Sequence, residues 1–251
     1  MTPKGKRAKK RGAPTGDARP RPELGASRRQ KVLRLVCEGF TERDYLTRLE
    51  DDHGEELSFH IVLSPHKQPK KGYKPLPAVE WAVQERRRLR GKEKNNVWAV
   101  FDRDQHSDVD TAIRKAVDNG VKVAFSTPSF DLWLWLHLAP GVPPELSEDN
   151  DWVIKQLRTV KEFKDYAKQS GGRDSDDRPK RLNDTQLDKL ADKKKAVELA
   201  RRLVRRCPSG FCDANEKPGF PGHATNCDPL RRDTTTDIYR ILEALGIDQL
   251  P

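Results

Sequence analysis

The sequence predicts an α/β fold, in which a mostly parallel sheet is covered by helices on its faces. The first observation is that four short apolar runs recur in the first half of the chain, each about as long as a buried strand. The second is that helical patterns, with apolar residues three or four apart, separate these runs. The third is their regular alternation, which predicts parallel pairing with right-handed crossovers.

The elements follow one another without a repeat. The predicted strands lie near residues 32–36, 57–63, 96–101 and 121–125. The helices between them cover about residues 41–49, 78–90 and 108–119. Thr41, with Asp44 three residues later, resembles a short capping box and is the predicted N-cap of the first helix. Gly120 follows the third helix at the position where glycine often ends a helix.

The second half of the sequence predicts mainly helices. Residues 129–137 are apolar on nearly all sides, which predicts a buried helix. Further helices are predicted at 152–166, 188–206 and 235–245. We therefore divide the chain into a disordered basic arm, a catalytic α/β core and a helical C-terminal region with a Cys/His loop. These are residues 1–29, 30–140, 141–251 and, for the loop, 207–227.

Composition narrows the classes of partner. The 251 residues carry a net charge of +10, with 35% charged and 34% hydrophobic residues, which favours a polyanion such as nucleic acid. A solvated basic tail is the alternative explanation of that charge. No apolar stretch follows the basic N-terminus as in a secretory signal, and no run approaches the roughly 18 apolar residues of a membrane span. We expect a soluble cytoplasmic protein.

Acidic residues follow two of the predicted strands. Glu38 comes directly after the first strand, and Asp102 and Asp104 come at the end of the third. The carboxyl ends of parallel strands meet at one edge of a sheet, where function gathers in α/β folds. Carboxylates are the ligands that Mg²⁺ or Mn²⁺ prefers, and such sites perform phosphodiester chemistry. An ordinary solvated turn is the alternative for the Asp-Arg-Asp triplet.

These motifs resemble a Toprim-type catalytic domain and, more narrowly, the RloB family of bacterial abortive-infection, anti-phage defence proteins. The similarity spans roughly residues 31–245, and its matching segments are Val36–Glu42, Val100–Asp104, Ser126–His137 and Asp233–Glu243. The resemblance implies a metal-dependent nuclease that cleaves tRNA or DNA, often beside an ATPase partner. The chain departs from the family at Asp131, where the family usually has glutamate.

The third segment adds two candidate site residues, Asp131 and His137. Asp131 could frame the site from the first turn of the buried helix, although an acid there is also favoured by the helix dipole. His137 could serve as a general acid or base, and a buried structural histidine is its alternative. Glu42, one turn past Glu38, either caps the first helix or orients a metal-bound water.

A cluster of soft ligands lies in the C-terminal region. Cys207, Cys212, His223 and Cys227 form a Cys-x4-Cys and His-x3-Cys pattern within a segment rich in Gly and Pro. Three thiols and an imidazole are a competent set for a structural Zn²⁺ ion. The spacing is looser than in common zinc ribbons, so an ordinary loop is the alternative. Cys37 lies in the first strand and is expected in the core.

The helix predicted at 188–206 is strongly basic. Its candidate phosphate ligands are Lys193, Lys194, Arg201 and Arg205. A face that contacts nucleic-acid phosphates and a face that is only solvated are both compatible with this pattern.

Together these features predict a Toprim-like nuclease effector of an anti-phage system, dependent on Mg²⁺ or Mn²⁺. Glu38 would act as general acid/base or metal ligand, and Asp102 and Asp104 would hold the metal. The expected partner is nucleic acid, with tRNA favoured over DNA, and no membrane. An ATPase of the same system and a homodimer are further candidates. The alternatives are a metal- or nucleotide-binding module without turnover, and a non-catalytic subunit of a defence ATPase.

Overall fold

A mixed sheet organises the fold of this protein. The computed structural model describes residues 30–69, 72–103, 106–143, 146, 149–167, 180–207, 227 and 233–250. Within these ranges, five strands pair in the order β2-β1-β3-β4-β5. They are β1 (Lys31–Cys37), β2 (Phe59–Leu63), β3 (Val97–Asp102), β4 (Lys122–Thr127) and β5 (Thr235–Thr236). The first four run parallel, and β5 joins β4 antiparallel. The predicted α/β class is confirmed.

Helices cover both faces of the sheet. They are α1 (Phe40–His53), α2 (Pro75–Arg88), α3 (Val109–Asp118), α4 (Asp131–Leu138), α5 (Asn150–Leu157), α6 (Asp184–Lys189), α7 (Lys193–Arg205) and α8 (Tyr239–Leu245). Side chains that alternate along β1 enter different cores: Leu35 joins the core formed with α1, α4 and the C-terminal helices, and Val36 joins the core formed with α2 and α3. The sheet is therefore buried on both sides, as parallel strands require.

The start of α1 differs from the predicted capping. Gly39 is the N-cap, and no side chain caps the helix there. Instead, Thr41 donates a hydrogen bond to the carbonyl of Lys180 at 3.2 Å. Asp44 accepts two hydrogen bonds from the Arg181 guanidinium, both at 2.7 Å. The capping prediction was wrong because a distant segment, 180–182, takes both side chains.

Two predicted C-terminal helices are shorter or interrupted. The helix expected at 152–166 begins at Asn150 but ends at Leu157, and a single 3-10 turn, Lys161–Phe163, follows. The helix expected at 188–206 is interrupted after α6. A new helix, α7, begins after Asp192. Asp192 is its N-cap, and the carboxylate accepts a hydrogen bond from the Lys195 amide at 3.0 Å. A strong local cap therefore outweighs the continuous basic pattern.

The last predicted helix starts as a strand. Thr235 and Thr236 form β5, in which Thr236 is opposite Ser126 and their hydroxyls lie 2.9 Å apart. Only from Tyr239 does the chain become helical. A strand from the C-terminal region thus completes the sheet of the core region, and both regions contribute to one hydrophobic core.

The predicted basic arm, residues 1–29, lies outside the described residues. Among the helices that are described, none is long and apolar enough to cross a membrane.

Candidate functional site

Parallel pairing of β1 with β3 brings two acidic side chains together at the carboxyl edge of the sheet. Cys37, the last residue of β1, is opposite Val100 in the register, so Glu38 follows beside the last two residues of β3, Phe101 and Asp102. The Asp102 amide donates a hydrogen bond to Glu38 Oε2 at 3.0 Å. Glu38 and Asp102 therefore occupy one site, although they are 64 residues apart in the sequence.

Backbone groups fix both carboxylates. The Phe130 amide donates to Asp102 Oδ2 at 2.8 Å, immediately before α4 begins. The Glu38 amide donates to the Val100 carbonyl at 2.9 Å, which continues the pairing of β1 and β3 by one residue. Asp102 is only 8% exposed, whereas the site opens to solvent on the side of Glu38. The two side chains are thus held before any ligand arrives.

His106 is a site residue that the sequence reasoning missed. Its Nε2 lies 3.0 Å from Glu38 Oε1, on the loop that follows β3. The signal was present in the sequence, because the Asp102–His106 segment reads Asp-Arg-Asp-Gln-His. Asp104, the third predicted carboxylate, lies outside the described residues.

The donor set suits a hard divalent cation. Glu38 and Asp102 offer carboxylate oxygens, which Mg²⁺ and Mn²⁺ prefer. Within the described ranges, no group of three or more His, Cys, Asp or Glu side chains is arranged to hold an ion. Two carboxylates are nevertheless sufficient for Mg²⁺, which keeps several waters and takes further oxygens from substrate phosphates. The residues present therefore fit the expected metal.

Residues in the segment just before α2 contact the backbone at Glu38. The Tyr73 amide donates to the Glu38 carbonyl at 2.8 Å, and the Gln68 side chain donates to the Cys37 carbonyl at 3.2 Å. Gly72 passes so close that a Cβ there would lie 2.5 Å from the Glu38 carbonyl oxygen, at a φ of 77°. Only glycine fits this approach, so Gly72 determines where the Glu38 backbone sits.

Gly72→Ala is therefore expected to impair the site as well as the fold. The positive φ alone should cost about 1 kcal/mol of unfolding free energy, and the contact with Glu38 should add to that cost. We expect catalytic activity to fall by roughly tenfold, because small misplacements of site residues cost this much or more. Denaturant unfolding and a cleavage assay measure the two effects.

Gly91→Ala is the matched control for this substitution. Gly91 also has a positive φ, 55°, but a Cβ there would meet no atom within 4 Å. It should lose a similar amount of stability from the backbone alone and keep full activity. Equal activity losses in the two variants would contradict a positioning role for Gly72.

Asp131 anchors a polar cluster at the start of α4. Its carboxylate accepts from the Tyr166 hydroxyl at 2.6 Å and from the Lys180 ammonium at 2.9 Å, and the residue is 2% exposed. Burial, and then the charge of Asp131, raise the pKa of Tyr166 well above its ordinary value. The predicted site residue Asp131 thus links α4 to Tyr166 and Lys180, and its role at the site stays a prediction. Sequence reasoning found neither partner.

Glu42 is also buried, at 4% exposure. Its carboxylate lies against Gly39, where it fills the space that a Cβ would need. Glu42 thus folds back over the first turn of α1, the position from which an acid interacts favourably with a helix N-terminus.

His137 lies in the hydrophobic core. It is 2% exposed, and its Nε2 is 3.1 Å from the Tyr45 hydroxyl. Its ring meets those of Tyr45 and Trp133 edge to face. Burial lowers the pKa of His137 to about 3, with Lys193 and Lys195 adding to the effect. A neutral, enclosed imidazole argues against the predicted role as an acid/base catalyst.

The basic helix α7 divides into paired and exposed cations. Lys193 lies 3.3 Å from Asp52, and Arg201 forms ion pairs with Glu243 at 2.5 Å and Asp248 at 3.2 Å. These two predicted phosphate ligands are therefore engaged within the protein. Lys194 and Arg205 are exposed. Arg205 lines a groove with Glu198, Arg201 and Arg202.

Two of the four predicted soft ligands lie together. The Cys207 and Cys227 sulfurs are 3.5 Å apart, and both residues are buried. Cys212 and His223 lie outside the described residues.

The fold and the site define an α/β protein with a carboxylate pair at the carboxyl ends of adjacent parallel strands. The chain belongs to the RloB family, because the family model described as RloB-like protein matches residues 33–245. Membership of this family fits a defence-associated protein. Comparisons with curated proteins and with solved structures gave no match.

Proposed function

We propose that this protein is a Toprim-like, metal-dependent nuclease that acts in the cytoplasm as an effector of anti-phage defence. Its substrate is RNA, with tRNA favoured, or DNA. The observation that carries the proposal is the Glu38–Asp102 pair, which is held by backbone hydrogen bonds at the carboxyl ends of β1 and β3. Family membership supports the defence context.

The mechanism assigns each residue a limited task. Bound Mg²⁺ or Mn²⁺ would stabilise charge on the phosphate and make a bound water more acidic. Glu38 and Asp102 would hold the cation with their carboxylate oxygens. Glu38 Oε1 faces His106 Nε2, so this histidine positions the Glu38 carboxylate from the solvent side. Phe130 and the strand pairing keep the carboxylates from rearranging as charge develops.

An acidic site needs nearby cations if it is to accept a polyanion. The segment that supports Glu38 carries the exposed side chains of Lys67 and Lys74. Lys194 and Arg205 on α7 are exposed as well. The net charge of +10 provides long-range attraction to nucleic acid. We propose that these cations contact substrate phosphates, whereas Lys193 and Arg201 stabilise the fold.

The salt dependence of binding tests the role of α7. The double variant Lys194→Ala, Arg205→Ala should bind nucleic acid more weakly, with a log–log salt slope flatter by up to about two units. Titrations of a fluorescent RNA and DNA at several salt concentrations give the slope. The control is Arg87→Ala, Lys92→Ala, which removes two exposed cations from the N-terminal side of β3. An identical loss in both double variants would show only a general charge effect.

Cleavage assays test the proposed function itself. Purified protein, incubated with tRNA and with DNA in Mg²⁺ or Mn²⁺, should cut at least one of them, and EDTA should stop the reaction. Sequencing RNA ends after induced expression would identify the substrate in cells. Metal-dependent binding without cleavage would favour the alternative of a non-catalytic module. Cleavage or toxicity seen only with a co-expressed defence ATPase would establish that partner as required for activity.

A further inference from the structure

A lysine from the C-terminal region lies close to the carboxylate pair. The Lys180 ammonium is 2.9 Å from Oδ2 of Asp131, the first residue of α4. Asp131 directly follows Phe130, whose amide donates to Asp102 Oδ2 at 2.8 Å. Ordinary bond lengths along this path therefore place the Lys180 ammonium at most about 15 Å from the Asp102 carboxylate.

The backbone that carries Lys180 is fixed to α1. Thr41, in the first turn of that helix, donates to the Lys180 carbonyl at 3.2 Å. The next two residues, Arg181 and Leu182, donate three hydrogen bonds to the Asp44 carboxylate. Lys180 is thus held between the first turns of α1 and α4, which follow the carboxyl ends of β1 and β4.

The Lys180 ammonium is accessible although its acidic partner is buried. The Lys180 side chain is 43% exposed, whereas the Asp131 side chain is only 3% exposed. An ammonium carries three N–H donors, so an ion pair that is open on the side of the cation can also accept a phosphate. Asp131 fixes the position of the ammonium, so less side-chain entropy is lost when a phosphate binds there.

The charge of the site creates a need for such a cation. A phosphate that approaches Glu38 and Asp102 also meets Glu42 and Asp131, which lie in the first turns of α1 and α4. A divalent cation offsets the charge of two carboxylates only. Further positive charge beside the metal would therefore favour the approach of a polyanion.

We propose that the Lys180 ammonium binds a phosphate of the nucleic acid beside the carboxylate pair. The C-terminal region would then contribute directly to the substrate site, and Asp131 would be the positioning residue for Lys180. This inference rests on the proposed nuclease function, but the contact is made on binding, before any cleavage.

The variant Lys180→Gln tests the contact, because glutamine removes the charge but can still donate to Asp131. Binding of tRNA and of a fluorescent DNA oligonucleotide is titrated at several salt concentrations. Ca²⁺ replaces Mg²⁺ as the oxygen-binding cation, and both probes are checked for cleavage afterwards. The log–log salt slope should be flatter by about one unit, since one phosphate contact is lost, and Lys180→Arg should keep the parent slope.

Lys189→Gln is the matched control. The Lys189 side chain is 50% exposed and lies 3.3 Å from Glu162, so this variant also breaks an ion pair and removes one accessible charge. Lys189 is on α6, and its partner belongs to the 3-10 turn Lys161–Phe163. The control variant should therefore keep the parent slope.

A second measurement uses the parent protein alone. Acetylation of its lysines, followed by mass spectrometry, should be slower at Lys180 when nucleic acid is bound and unchanged at Lys189. This measurement decides the matter if Lys180→Gln does not fold.

The outcomes separate the contact from the nuclease function. An unchanged slope in Lys180→Gln, or equal acetylation of Lys180 with and without nucleic acid, would overturn the contact and leave the nuclease proposal standing. A slope that depends on Lys180, in a protein that does not cleave, would support the contact and refute the nuclease. A parent protein that binds neither probe would overturn both.

Discussion

Replacing Asp102 with asparagine is expected to reduce metal-dependent cleavage by at least 100-fold. Replacing a residue that holds a metal ligand in position typically lowers metal affinity or activity 10- to 100-fold. Replacing a direct ligand should lower activity further. Asparagine keeps an oxygen that can accept from the Phe130 amide, so the fold should survive. We expect kcat/KM to fall and the Mg²⁺ concentration for half-maximal activity to rise. Steady-state kinetics over a Mg²⁺ series measures both.

The control for this substitution is Asp51→Asn. Asp51 is an exposed carboxylate on α1, so the variant loses the same charge without touching the site. Glu38→Gln should behave like Asp102→Asn, because Glu38 contacts the Asp102 amide. Full activity in both site variants would disprove the proposed active site. Loss of cleavage with intact nucleic-acid binding would instead show that the carboxylates act in the cleavage step and not in substrate binding.

His137 should make the protein unusually sensitive to mild acid. The pKa of His137 is about 3 in the folded chain against an ordinary value of 6.5. Above pH 6.5 the imidazole is neutral in both states, and its contribution to stability is fully present. Between pH 6.5 and pH 3, His137 binds a proton in the unfolded chain but stays neutral in the folded chain. The unfolding free energy should therefore fall by about 1.4 kcal/mol per pH unit, or roughly 3 kcal/mol by pH 4.5.

Denaturant unfolding across this pH range measures the effect. His137→Gln removes the titration and keeps a partner for the Tyr45 hydroxyl, so its stability should change less with pH. Lys193 and Lys195, which also disfavour the charged imidazole, remain in this variant. His66→Gln, at an exposed position, should leave the parent pH dependence unchanged. If the unfolding free energy fell equally with pH in the parent and in His137→Gln, His137 would not be the cause of the acid sensitivity.

The sequence predicted the strands best, because their burial in the fold is visible as a local apolar pattern. The run that became β3 is buried at every position and is apolar up to Asp102, and the run that became β1 is apolar except for Lys31 and Arg34. Parallel pairing then places Glu38 beside Asp102 without further information. Gly120 ended α3 at a positive φ of 66°, as a glycine at that position predicts.

Contacts between residues that lie far apart in the sequence could not be predicted from local patterns. Thr41 and Asp44 have the spacing of a cap, yet segment 180–182 takes both. Nothing near Lys193 or Arg201 predicts their ion pairs with Asp52 and Glu243, because those acids lie on other elements. Strand β5 has two residues, too few for a period to be visible.

The position of β5 also affects when the sheet can be completed during synthesis. A ribosome releases the strands β1 to β4 first, but the Thr235–Thr236 strand pairs with β4 across about 110 residues. The Asp237 amide then donates to the Phe125 carbonyl, two residues before β4 ends. Nascent chains fold from the N-terminus, and contacts this distant form late. The sheet beside the carboxylates is thus complete only after Thr236 has left the ribosome, so the four N-terminal strands wait for a partner that is made about 110 residues later.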